Sequence, residues 1–193
     1  MSRPDDAKWR RRRHLLLVAS LFVVPVVTAI LLYHSVDWRP VVNSRGTLID
    51  PPRTLTVSSL VLADGTTPSA DAFQGRWSVI RPVTGGCGAS ERALLEELAR
   101  VRLALDKDAD RVQRVLVHDG SCAEDALRDD TGDLRVFSAE AGFLAQFPPS
   151  VDGTSGIYVA DPHGNLMMSY PASGSARGLL KDLERLLRLS SIG

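Results

Sequence analysis

Residues 15–33 run for 19 positions without a charged side chain, directly behind a segment that carries Arg3, Lys8, Arg10, Arg11, Arg12 and Arg13 against only Asp5 and Asp6. At about 1.5 Å per residue such a helix nearly crosses a hydrocarbon layer of ~30 Å. A cleaved signal peptide is the competing reading, but its apolar stretch usually spans about 7 to 15 residues and ends at a small-residue cleavage site. Val27-Thr28-Ala29 imitates such a site poorly. Pro25, Ser20 and Thr28 are compatible with a lipid-spanning helix. The pattern predicts a retained single-pass anchor, and the arginine-rich flank is expected to stay cytoplasmic. In a bacterium this sets the carboxyl-terminal part on the periplasmic side of the inner membrane, where thiols tend to be oxidised. The chain has two cysteines, Cys87 and Cys122, so that pair is a disulfide candidate.

The organisation follows from that segment: a basic tail over 1–14, a transmembrane helix over 15–33, a tether over 34–54 rich in proline and polar residues, and a folded domain over 55–193. With 44% apolar and 24% charged residues the composition is that of a folded chain. Its 23 basic residues are balanced by 23 acidic ones, which removes the electrostatic footprint of nucleic-acid binding.

From residue 55 onward strand and helix patterns alternate, as in an α/β domain on a central sheet. An extended entry segment is expected near 54–62 and a strand over 77–83. Leu94, Leu95, Leu98, Val101 and Leu105 recur at helical spacing, predicting a helix over 89–106. A second strand over 112–118 should lie parallel to the first. Because strand–helix–strand units are right-handed, the loops after Val83 and after His118 should then open on one edge of the sheet. Helices are expected over 123–129 and 138–146. A hairpin over 156–160 and 166–170 follows, turning through Asp161-Pro162-His163-Gly164-Asn165, and a last helix covers 176–189.

This order is the thioredoxin arrangement, a central mixed sheet flanked by helices. The sequence resembles the Sco proteins, and more closely a group of single-span bacterial proteins associated with cytochrome c oxidase assembly. The resemblance is carried by Gly75-Arg76-Trp77, the Cys87 loop, Val101-Arg102-Leu103, Asp110-Arg111-Val112 and Asp161-Pro162-His163-Gly164-Asn165-Leu166-Met167-Met168. Sco proteins hold copper with Cys-x-x-x-Cys in the loop after the first central strand; here that stretch is Cys87-Gly88-Ala89-Ser90-Glu91. The second position is a hard carboxylate, poorly suited to copper(I), which prefers soft sulfur donors. The third Sco ligand, a histidine five residues before the hairpin tyrosine, corresponds to Gly153, counting back from Tyr158. Ser90 also denies the loop a thioredoxin-type Cys-x-x-Cys.

Three readings of Cys87 stand side by side. It is a reactive thiol activated at a helix start, a small apolar residue, or one half of a Cys87–Cys122 disulfide closing a loop of about 36 residues. Cys87, Cys122 and His118 form a weak metal candidate, while His14, His34 and His163 share no ligand spacing. Met167 and Met168, adjacent on a strand, should face opposite sides of the sheet. What the resemblance implies is a non-catalytic, membrane-anchored accessory protein of cytochrome c oxidase assembly, with oxidase subunits or assembly factors as partners and no resident cofactor. The alternative is a copper chaperone or thiol–disulfide oxidoreductase acting through Cys87.

Overall fold

The computed structural model describes residues 5–35, 45–62, 65–122, 132–149 and 156–192, in two units, Met1–Asn43 and Ser44–Gly193. The described residues of the first unit form one helix, α1 (Asp5–Ser35), which runs through Pro25. The hydroxyls of Ser20 and Thr28 are satisfied internally, Ser20 Oγ donating to the Leu17 carbonyl at 2.9 Å and Thr28 Oγ1 to that of Val24 at 2.8 Å. The apolar run expected to cross a membrane lies in α1, whose side chains are described only at Trp9, His14, 17–28, Ile30 and Leu31. Among the described residues no helix is long and apolar enough to cross a membrane.

The second unit is an α/β domain of thioredoxin-like fold. Its elements are β1 (Thr47–Thr54), β2 (Leu60–Leu62), β3 (Trp77–Val83), α2 (Ala89–Ala104), a 3-10 turn (Asp106–Arg111), β4 (Val112–His118), β5 (Leu134–Ala139), α3 (Ala141–Leu144), β6 (Ile157–Ala160), β7 (Asn165–Tyr170) and α4 (Ala176–Leu189). The strands form one seven-stranded mixed sheet in the order β1-β7-β6-β3-β4-β5-β2. β3, β4 and β5 are parallel, and the remaining pairings are antiparallel.

Each central strand is buried along its length because both sheet faces are covered. Val79, Val112, Ile157, Val159 and Met168 pack under α2 and α4 against Leu94, Leu98, Val101, Leu179, Leu183 and Leu187. On the other face Ile80, Val115, Val117, Tyr158 and Leu166 meet Phe73, Phe137, Phe143 and Phe147. The apolar stripe of α4 is the leucine series visible in the sequence, and its bounds match the expected 176–189.

Three sequence expectations are corrected. Residues 47–54, read as tether, form edge strand β1, paired with β7; its ladder is interrupted between Leu48 and Arg53, around Pro51 and Pro52, which lack the amide hydrogens a central strand would need. The helix expected over 138–146 shrinks to α3, because 134–139 is strand β5, held between β4 and β2. Short alternation in Leu134-Arg135-Val136-Phe137 is the strand signal there. Met167 and Met168 both pack on the α2/α4 side, since an irregularity opposite Val159 and Ala160 breaks the two-residue alternation of β7. The helix expected over 123–129 lies outside the described residues.

The entry of the domain is fastened by one buried carboxylate. Asp182 of α4 accepts the backbone amides of Arg45 at 2.7 Å and Gly46 at 3.0 Å, and the Tyr170 hydroxyl at 2.9 Å. Burial, reinforced by that hydrogen bond, raises the Tyr170 pKa, so the phenol stays protonated and donates. Asp182→Ala strands three donors and is expected to cost about 3 kcal/mol, the upper range for hydrogen bonds to a charged group. Urea unfolding should read the loss, and amide exchange should accelerate first at Thr47 and Leu48, where β1 begins.

Candidate functional site

β3 and β4 run parallel and in register from Trp77 opposite Val112 to Val83 opposite His118, so the loops that follow leave the sheet at the same level. The β3–α2 loop carries Cys87, immediately before Gly88, the residue capping α2. The loop after β4 carries Cys122. The structure joins them in a disulfide with Cα atoms 4.8 Å apart, and the described residues hold no free cysteine. Cys122 is buried with Val83, Leu95 and Leu116, whereas Cys87 is half-buried at the helix start. The bridge thus has one accessible end and one enclosed end.

Glu91, at the second position of the Sco-like loop, is occupied by a different partner. Arg81 of β3, an almost fully buried side chain, donates from Nε to Glu91 Oε2 at 2.9 Å and from its terminal nitrogen to Oε1 at 2.6 Å. Its other terminal nitrogen donates to the Gly156 carbonyl at 3.0 Å. This bidentate pair locks the first turn of α2 onto the centre of the sheet. One strand over, buried Arg114 makes a similar fork to Asp133 at 2.5 and 2.9 Å and donates to the Leu95 carbonyl at 3.0 Å. Arg102 joins from α2, at 3.2 Å from Asp133. Both arginines sit in strands that read as apolar runs, and the sequence carries no local signal for either pair.

His118 closes β4 and is buried; its Nδ1 accepts the Gly120 amide hydrogen at 3.0 Å, which leaves the proton of the neutral ring on Nε2. Burial lowers the His118 pKa, with the neighbouring Asp119 carboxylate acting in the opposite direction. Asp119 points across the gap, accepting the Gly85 amide at 3.0 Å on Oδ2 and the Ser121 amide at 3.1 Å on Oδ1. The Ser121 hydroxyl also donates to Oδ1. These hydrogen bonds, that of the Ser121 hydroxyl foremost, hold the Asp119 carboxyl below the usual carboxylate range. In the sequence Asp119-Gly120 reads only as a turn.

The remaining candidates do not converge here. His163 lies in the β6–β7 turn, His14 is exposed on α1, and the side chain of His34 and the whole of Gly153 lie outside the described residues. Among the described residues no group of three His, Cys, Asp or Glu side chains is arranged to hold a metal ion. The donors at the loop edge do not fit copper(I): both sulfurs are bonded to each other, Glu91 is hard and neutralised by Arg81, and the His118 Nδ1 is engaged.

Residues 77–190, more than half of the chain, match the family model described as transmembrane-like, thioredoxin-like, C-terminal domain. The chain belongs to this family. No curated protein matches the sequence. Among solved structures it is similar to BsSco, a member of the Sco family of cytochrome c oxidase assembly proteins, at 11% identity and a TM-score of 0.54 over 75% of this chain and 99% of that one. It is also similar to a SCO1/SenC family lipoprotein from Bacillus anthracis, at 14% identity and a TM-score of 0.52 over 72% and 98% of the two chains. A third likeness is to copper-bound ScoI from Arabidopsis thaliana, at 14% identity and a TM-score of 0.50 over 75% and 99%. At these identities the likeness establishes a Sco-like thioredoxin fold. Within that fold this member of the transmembrane-like, thioredoxin-like family pairs its loop cysteine with one from the neighbouring loop.

Replacing both cysteines by serine removes a cross-link between residues 35 apart in sequence, and should lower stability to denaturant by roughly 3 to 4 kcal/mol in the chain-entropy description. His118 has a folded-state pKa below its unfolded value, so its contribution is complete above the unfolded pKa and is lost as pH falls through the folded one. Urea midpoints should therefore drop between pH 7 and pH 5.5. His118→Asn, whose amide oxygen can still accept from Gly120, should lack that component of the drop.

Proposed function

We propose that this protein is a membrane-anchored, periplasm-facing accessory factor of cytochrome c oxidase assembly that holds a partner through its thioredoxin-like domain and performs no catalysis. The observation carrying this reading is the state of the loop edge, where Cys87, Cys122, Glu91 and His118 are each engaged by protein partners. A carrier of copper(I) needs soft donors free to exchange. The oxidase connection draws on the Sco-like fold and on the family resemblance of the sequence. The anchor draws on the uncharged 15–33 run behind its arginines and on the internally bonded hydroxyls of Ser20 and Thr28, an arrangement that suits a helix in lipid.

Anaerobic copper(I) titration of the full-length protein as isolated tests the reading. The expected result is no stoichiometric binding; one equivalent of copper whose binding disappears in Cys87→Ser would defeat it. In cells, deletion of the gene should lower assembled oxidase, measured from haem spectra of membranes. The Cys87→Ser/Cys122→Ser double variant, expressed at equal abundance, should restore it.

A second reading has its own support. The accessible end of the disulfide, Cys87, lies at the amino end of α2, where the helix amides stabilise a thiolate, and the enclosed end is Cys122. That asymmetry suits exchange with an external thiol, which would attack Cys87 and release Cys122. Reduction of the folded protein by glutathione at neutral pH, followed by alkylation and mass analysis, is the measurement. A bridge that opens only on unfolding removes this reading and leaves the first.

A further inference from the structure

The loops bearing Cys87 and Cys122 are joined a second time, without sulfur. Asp119 is the first residue beyond β4. Its Oδ2 takes the amide of Gly85, two positions before Cys87, and its Oδ1 takes the amide and hydroxyl of Ser121, the residue before Cys122. One carboxylate therefore grips both turns. The turns also approach closely: Gly85 and Gly86 have φ of 82° and 104°, and a Cβ built on Gly86 would stand 3.7 Å from the Ser121 carbonyl oxygen. These contacts are hydrogen bonds and backbone packing, separate from the S–S bond.

We propose that Asp119 is a positioning residue for thiol–disulfide exchange at Cys87–Cys122, a role that rests on the exchange reading above. By tying the Gly85 amide to the Ser121 turn, it keeps the two thiols of the reduced form near each other. Their effective concentration rises and the pair is biased toward the disulfide. The exchange balances with two molecules of glutathione. The first, as thiolate, attacks Cys87 Sγ, forming a mixed disulfide and expelling Cys122 as a thiolate that takes up a proton. The second attacks the glutathione sulfur of that mixed disulfide, releasing the Cys87 thiol and glutathione disulfide, so two electrons pass from glutathione to the protein. In the reverse direction Cys122 expels glutathione from Cys87. That intramolecular step depends on the separation of the loops, and Asp119 acts on it.

The test equilibrates the full-length protein in glutathione buffers, traps thiols by alkylation and counts them by mass, for the native chain, Asp119→Ala and Asp119→Asn. Circular dichroism establishes that each variant is folded. Asp119→Ala is expected to shift the equilibrium toward the dithiol by roughly three- to tenfold, the scale of losing charge-assisted hydrogen bonds at an exposed site. Asp119→Asn, which keeps one carbonyl acceptor, should fall between. Closure of the glutathione-blocked protein should slow in the same order. A role in the fold alone would weaken oxidised and reduced forms equally and leave the equilibrium within twofold of native, which overturns the proposal. If glutathione cannot open the folded native bridge, the exchange reading fails by itself. The same comparison in dithiothreitol then still decides whether Asp119 sets the disulfide equilibrium.

Discussion

The parallel, in-register pairing of β3 with β4 is the constraint from which the rest of the domain follows. Parallel strands need a crossover, and α2 with its 3-10 turn provides it, burying Leu94, Leu98 and Val101 against one face of the sheet. Once the crossover is right-handed, both following loops emerge at one edge. Cys87 and Cys122 then lie near each other although 35 residues separate them. The opposite face is closed by an aromatic cluster in which Phe73 lies over Phe143 and Phe147 contacts Tyr158.

Charged groups refine this frame. Arg81 and Arg114 are two nearly buried guanidinium groups on neighbouring strands, and each is neutralised by a bidentate carboxylate and also bonded to a backbone carbonyl. A buried arginine with its partner removed would be costly, so the geometry of α2 is coupled to these pairs. Glu91 shows the functional consequence. At the position that the resemblance sets against the second Sco cysteine, this chain carries the counter-charge of Arg81, and a sulfur donor there would remove that carboxylate.

Much of the sheet was legible because its signals are local. The β3 and β4 runs, the leucine stripe of α4 and the Asp161-to-Asn165 turn each declare themselves within a dozen residues. β1 was not legible, because Pro51 and Pro52 mark a loop by every local criterion and are tolerated only at an edge whose outer side needs no ladder. The end of β5 was misread because Ser138 and Ala139 run straight into the apolar residues of α3, and so short a stretch does not separate a period of two from one of 3.6. At the site, Cys87 and Cys122 stood out by chemistry, whereas Arg81 and Asp119 did not. Their partners, Glu91 and Gly85, are chosen by tertiary folding and leave no spacing to detect.

From the amino acids alone came the uncharged segment behind its arginines, the thioredoxin-like order of elements and the replacement of a soft ligand by Glu91. The first two depend on charge, hydropathy and periodicity along the chain, and the third on the resemblance of the Cys87 loop to the Sco motif. Only the folded arrangement decided that the two sulfurs bond to each other, that Glu91 neutralises Arg81 and that Asp119 spans the loops. Such contacts depend on distances of a few ångströms between residues far apart in sequence, and those distances exist only once the sheet has brought its loops to a common edge.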